Sequence, residues 1–104
     1  MDYLAEAKKA IEVSHRCIAT HVETVPVHEV FQGKTAWEGE VEVFMLANHP
    51  KAKRAYAWGY ANEARGGKYD FVTVLEIPPV VSPQTAVKVV IAATAKTDRK
   101  SDQP

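Results

Sequence analysis

The stretch K-R-A-Y-A-W-G-Y-A, Lys53–Ala61, decides how the chain folds. Tyr56, Trp58 and Tyr60 occupy every second position, with Ala55, Ala57 and Gly59 between them. A period of two is the signature of a β-strand, whose side chains alternate between faces. One face of this strand therefore carries three large rings and the other almost nothing. Burying a ring removes roughly 150–250 Å² from water. At about 25 cal/mol per Å², that is several kcal/mol per ring. Trp58 and at least one tyrosine are therefore expected under a helix or a second subunit.

Working outward, the hairpin to the preceding strand fixes where the rings point. With Tyr56 opposite Val43, Trp58 opposite Val41 and Tyr60 opposite Gly39, the apolar residues share one face and Glu38, Glu40 and Glu42 share the other. A slip of one residue would set Tyr56 and Trp58 against Glu42 and Glu40. The first register is expected, with the three carboxylates forming a solvated row.

Four strand-like runs are legible: Thr24–Gln32, Thr35–Leu46, Lys53–Ala61 and Tyr69–Ile77, separated by the turn segments QGK, NHPK and NEARGGK. Loops this short join antiparallel neighbours. With a three-residue QGK loop, His28 stands across from Glu38. Before the strands, Leu4, Ala7, Ile11, Ile18 and Val22 recur at helical spacings, which predicts a helix from an Asp2 N-cap to about Glu23, with His15 at the edge of the core. After them, Ser82-Pro83 is an N-cap followed by a proline at the first helical position, which predicts a helix over Pro83–Lys96. Val87, Val89, Val90 and Ile91 would also suit a buried strand. The expected fold is one two-layer α+β domain over residues 1–96: helix, four-stranded antiparallel meander, helix. Residues 97–104 read as a solvated tail.

The fourth run is apolar on both sides, with Phe71, Leu75 and Ile77 alternating with Val72 and Val74. A sheet with helices on one side alternates more cleanly. A partner subunit, the C-terminal helix or a ligand must cover the second face, and a two-fold homodimer is the first expectation.

The 104 residues carry 13 basic and 13 acidic side chains, so the basic excess of a nucleic-acid-binding domain is missing. A single cysteine excludes an internal disulfide and suits a reducing cytoplasm. The charged N-terminus does not read as a secretion signal, and the least charged stretch, Ile77–Val87, is short and broken by prolines. No nucleotide fingerprint or catalytic triad is present in the sequence, and no cofactor or metal site is expected.

A small binding or interaction protein is therefore expected, rather than an enzyme. An apolar or aromatic ligand would sit between sheet and helices or at a subunit interface. Tyr56, Trp58 and Tyr60 would line that site, with His49 or Arg54 as the polar contact. Two alternatives stand beside it. Lys51, Lys53 and Arg54 leading into the ring-bearing strand are arranged as in single-stranded nucleic-acid binders. Cys17 and His21, four apart on the first helix, would share a face as a thiol or metal centre.

The run VEVFMLANHPKAKRAYAWGY, followed by VTVLEIPPVVSPQTAV, resembles short uncharacterised bacterial proteins, including the kind carried on mobile gene cassettes. The resemblance covers Val41–Val87 and implies no activity and no catalytic residue.

Overall fold

The computed structural model describes residues 3–62, 64, 66 and 68–101. The elements run α1 (Tyr3–His15), β1 (Ile18–Phe31), β2 (Lys34–Ala47), β3 (Arg54–Asn62), β4 (Lys68–Leu75) and α2 (Pro83–Ser101). The strands form one antiparallel sheet in the order β1-β2-β3-β4, so the expected α+β order of helix, meander and helix holds. Among the described residues, no helix is long and apolar enough to cross a membrane.

The layering is finer than a single helical layer on a sheet, because the two helices lie on opposite faces. On one face, Val27, Val41, Val43, Tyr56 and Trp58 pack with Val80 and with Ala86 and Val87 of α2. On the other, Ala19, Phe44, Ala55 and Ala57 pack with Cys17 and with Ala7 and Ile11 of α1. The second apolar face of the sheet is thus met within the chain, by the helix at the other end.

The first helix ends eight residues before the expected Glu23. Arg16 takes a left-handed φ of 53° and its N–H donates to the Glu12 carbonyl at 2.9 Å, a helix C-terminal turn. Ile18 and Val22 matched the helical stripe only through their spacing, and both lie exposed on β1. Their surroundings, I-A-T-H-V-E-T-V, are rich in β-branched residues that favour a strand. A bulge between His21 and Glu23 then reverses the alternation, so that Ala19 faces α1 whereas Val25 and Val27 face α2. Asp2, the expected cap, lies outside the described residues.

The strand pairings meet expectation in part: the β2–β3 ladder ends at Glu42–Ala57, so the expected pairs Trp58–Val41 and Tyr60–Gly39 do not form, because the strands part beyond that point, while two other expected pairs do. Val43 stands opposite Tyr56, and His28 opposite Glu38. The second pairing arises by a different route. The turn has two residues, Gln32 and Gly33, both at positive φ as a type I′ turn requires, and a register shift after Glu29 restores the offset. The C-terminal element is a helix. The Ser82 hydroxyl accepts from Thr85 N at 3.2 Å and the Ser82 carbonyl from Ala86 N at 3.0 Å. It continues to Ser101, through most of the segment expected as a tail, because no glycine or proline intervenes before Pro104 to break it. Residues 102–104 lie outside the described residues.

Candidate functional site

β2 and β3 do not pair along their whole length. Ladder partners run from Met45–Arg54 to Glu42–Ala57, and beyond that the two strands part. The Leu46 N–H donates to the Lys53 carbonyl at 2.8 Å, which turns the odd-numbered residues of β3 toward β2. Gly59 is next in that series and has no partner on β2. Its N–H donates instead to the Tyr3 hydroxyl of α1 at 2.7 Å. Glycine is needed there, since an added Cβ would stand 2.9 Å from the Tyr3 ring and 3.0 Å from Phe71.

Where the strands part, a cleft of about 410 Å³ opens, lined by Tyr3, Trp37, Glu38, Gly39, Glu40, Glu42, Gly59 and Tyr69. Gly39 lets the Trp37 ring fold across its own strand, 3.1 Å from where a Cβ would sit. Tyr3 and Tyr69 meet edge-on with centroids 5.5 Å apart. The carboxylates come from alternate residues of β2 and are spaced about 7 Å along it. Glu42 is 4% exposed, contrary to the solvated row expected. Its Oε1 accepts from the Thr24 hydroxyl at 2.5 Å and lies 2.9 Å from His21 Nε2. Glu38 and Glu40 have no ion-pair partner among the described residues. Burial raises the pKa of Tyr3, the Gly59 N–H partly offsets this, and the nearby Glu42, Tyr69 and Glu40 add to the rise.

The residues expected to bind a ligand lie elsewhere. Tyr56 and Trp58 are 1% and 4% exposed and belong to the core beneath α2, while Tyr60 is 50% exposed. The Tyr56 hydroxyl donates to Glu76, and burial followed by that bond pushes its pKa well above the ordinary tyrosine value. His49 closes the β2–β3 loop, its Nδ1 accepting from Lys51 N at 3.1 Å and from Ala52 N at 2.9 Å. Arg54 opens β3. None of the five lines the cleft. The rings that would stack nucleic-acid bases are, apart from Tyr60, the same buried rings.

Cys17 and His21 do not share a helix face. Cys17 is buried at the α1–β1 junction, where burial and Glu12 raise its thiol pKa, and His21 is on β1 beside Glu42. Residues four apart in a strand are about 13 Å apart, against one helical turn. Among the described residues, no group of three or more His, Cys, Asp or Glu is placed to hold a metal ion.

Sequence reasoning found the acidic row but missed Tyr3, Trp37 and Tyr69 beside it. The available signal was the pair of strand glycines, Gly39 and Gly59, since glycine inside a strand marks close approach of another group. No protein-family model matches the chain, and no curated protein and no solved structure matches it either.

Proposed function

We propose that the protein is a small cytoplasmic binding module whose site is the cleft between β2 and β3, and that its ligand is an organic cation such as an amine or a guanidinium. The observation that supports this is the pairing of two features in one cavity: the carboxylates of Glu38, Glu40 and Glu42, and the rings of Tyr3, Trp37 and Tyr69. Carboxylates attract a cation by charge, and ring faces attract it through their quadrupole. Both repel an anion. A ligand of this kind would lie in the opening between β2 and β3 beside α1, with the Glu side chains and the Tyr3 and Tyr69 rings on the α1 side and Trp37 bordering it from the face of Trp58.

Titration with 1,4-diaminobutane and with arginine amide, followed by Trp fluorescence and amide NMR shifts, tests the reading. Saturable binding at millimolar concentration or tighter is expected, with benzoate inactive and affinity falling as salt rises. Glu40→Gln should weaken binding by about tenfold without unfolding the protein, because Glu40 is exposed. If neither cation saturates, or if Glu38→Gln and Glu40→Gln leave affinity unchanged, the cleft is not a cation site.

A further inference from the structure

The strand order leaves two sheet edges, β1 and β4, and they are built differently. Open edges invite pairing with another strand, and natural sheets block them with proline, bulges and charge. β1 is blocked in these ways. It holds Pro26 and Glu23, has register shifts at His21/Glu23 and Glu29/Val30, and is tied to α2 where Gln84 donates to the His28 carbonyl at 3.3 Å. β4 lacks two of the three: it pairs with β3 over eight consecutive positions without a shift and contains no proline, and its charged residues, Lys68 and Asp70, stand at its N-terminal end.

The Glu76 N–H donates to the Arg54 carbonyl at 2.9 Å, so the even-numbered residues of this strand turn toward β3 and the odd-numbered ones away from it. The N–H groups of Tyr69, Phe71, Thr73 and Leu75 thus face outward, and no backbone partner accepts them among the described residues. Alongside this edge, the flank of α1 makes a shallow groove with it, of about 280 Å³, lined by Glu6, Lys9, Ala10, Val13, Tyr69 and Phe71. Val13 is 70% exposed and Tyr69 50%. The open backbone edge and the exposed apolar flank are therefore continuous.

We infer that this surface pairs with a second copy of the chain. The two β4 strands run antiparallel about a two-fold axis through Val72, and the two α1 flanks come together above them. The chain's own edge suits this better than an arbitrary strand, for two reasons. A two-fold axis perpendicular to the sheet keeps each face on its own side, so odd residues meet odd residues. Phe71 then stands across from Thr73 of the partner subunit, and Tyr69 across from Leu75 of the partner subunit. These pairs are uncharged and carry an aromatic or branched side chain, the combination that stabilises cross-strand contacts. On the helix flank, Glu6 and Lys9 are one turn apart on one stripe with Ala10 and Val13. Two antiparallel copies of that stripe bring the acid of one near the base of the other, with Val13 covered at each end.

Light scattering across the micromolar to millimolar range, combined with hydrogen exchange, tests the pairing on the unmodified protein. The expected result is a dimer mass, with the Phe71 and Thr73 amides becoming protected as the dimer forms. Two variants separate the interface from the fold. Thr73→Pro removes one outward N–H, a position where an edge strand tolerates proline, and is compared with Thr73→Val, which loses the hydroxyl contact to His15 but keeps that N–H; Val13→Lys puts a charge on the exposed flank. Thr73→Pro, relative to Thr73→Val, and Val13→Lys should each raise the dissociation constant at least about tenfold while the far-ultraviolet dichroism stays native. A monomer at every concentration overturns the inference. So does a dimer whose Phe71 and Thr73 amides exchange freely, or one whose mass neither variant changes.

Discussion

The two faces of β3 bury comparable lengths of one strand by opposite means. Toward α2, Tyr56 and Trp58 fill the space between sheet and helix with ring volume, and α2 contributes only Ala86 and Val87 to the fully buried set. Toward α1, Ala55, Ala57 and Gly59 contribute almost no volume, and the helix itself supplies Ile11 and the Tyr3 ring. Large sheet residues hold a helix off, whereas small ones let it settle onto the backbone. The consequence for function is asymmetric. The ring face is filled, whereas the thin face draws Tyr3 down to the Gly59 backbone, at the mouth of the cleft.

The sharpest break in this comparison comes from the filled face. Trp58→Ala removes a ring packed against Trp37 at a centroid distance of 5.5 Å and leaves a cavity beneath α2. It should cost about 3–5 kcal/mol, read from urea or thermal unfolding. Tyr60→Ala, two residues along on the same face but half exposed, should cost about 1 kcal/mol or less. Equal losses at the two positions would mean that the rings do not act through burial beneath α2.

On the thin face the expected defect is crowding rather than a void. Gly59→Ala sets a methyl group 2.9 Å from the Tyr3 ring, so Tyr3 must shift and its 2.7 Å hydrogen bond to the Gly59 N–H must lengthen or break. A cost of about 1–3 kcal/mol is expected. Tyr3→Phe keeps the ring but leaves that N–H without its acceptor, for about 1 kcal/mol or more. Because both changes strike one contact, the double variant should cost less than the sum of the two. Strict additivity would show that Tyr3 and Gly59 are not energetically coupled, and would remove the reason for a glycine at that position.

The sheet was legible in the sequence because it rests on local alternation and short turns. Tyr56 opposite Val43 follows from the apolar pattern alone, and Ser82-Pro83 announces its helix. The end of α1 was not legible. Ile18 and Val22 sit seven and eleven residues after Ile11, a spacing that fits a helix as well as it fits nothing in particular, and only the left-handed turn at Arg16 decides between them. The cleft was hidden for a different reason. Its carboxylates were visible as a row, but the parting of β2 from β3 depends on Tyr3, more than fifty residues away in sequence, taking the hydrogen bond that a strand partner would have taken. The rings of Lys53–Ala61 drew the site toward themselves because large aromatic side chains serve cores and ligands alike.

The smallest expected effect lies at the far end of α1, where the thin face again brings polar groups close together. His15 Nε2 is 2.9 Å from the Thr73 hydroxyl of β4, and its ring centroid is 6.5 Å from that of His49, whose Nδ1 is already accepting two backbone N–H groups. Next to this pair in sequence, Lys51 is the neighbouring charge on the loop and Arg16 the one in the turn that follows α1. Glu12 is engaged with Lys8 and the Ala19 N–H, and neither imidazole has a carboxylate partner among the described residues. Burial, and then the nearby His49, lower the His15 pKa below the ordinary histidine value of 6.5. The unfolded chain therefore binds a proton more readily than the folded one. Stability contributed by neutral His15 is present above pH 6.5 and is lost as the pH falls through the depressed folded value. Thermal unfolding of the native protein should thus begin at a lower temperature at pH 5 than at pH 7, with His15→Gln showing a smaller difference between the two. The shift should be less than that caused by Gly59→Ala at neutral pH, since His15 is only partly buried. An unchanged pH dependence in His15→Gln would show that the acid sensitivity does not come from His15.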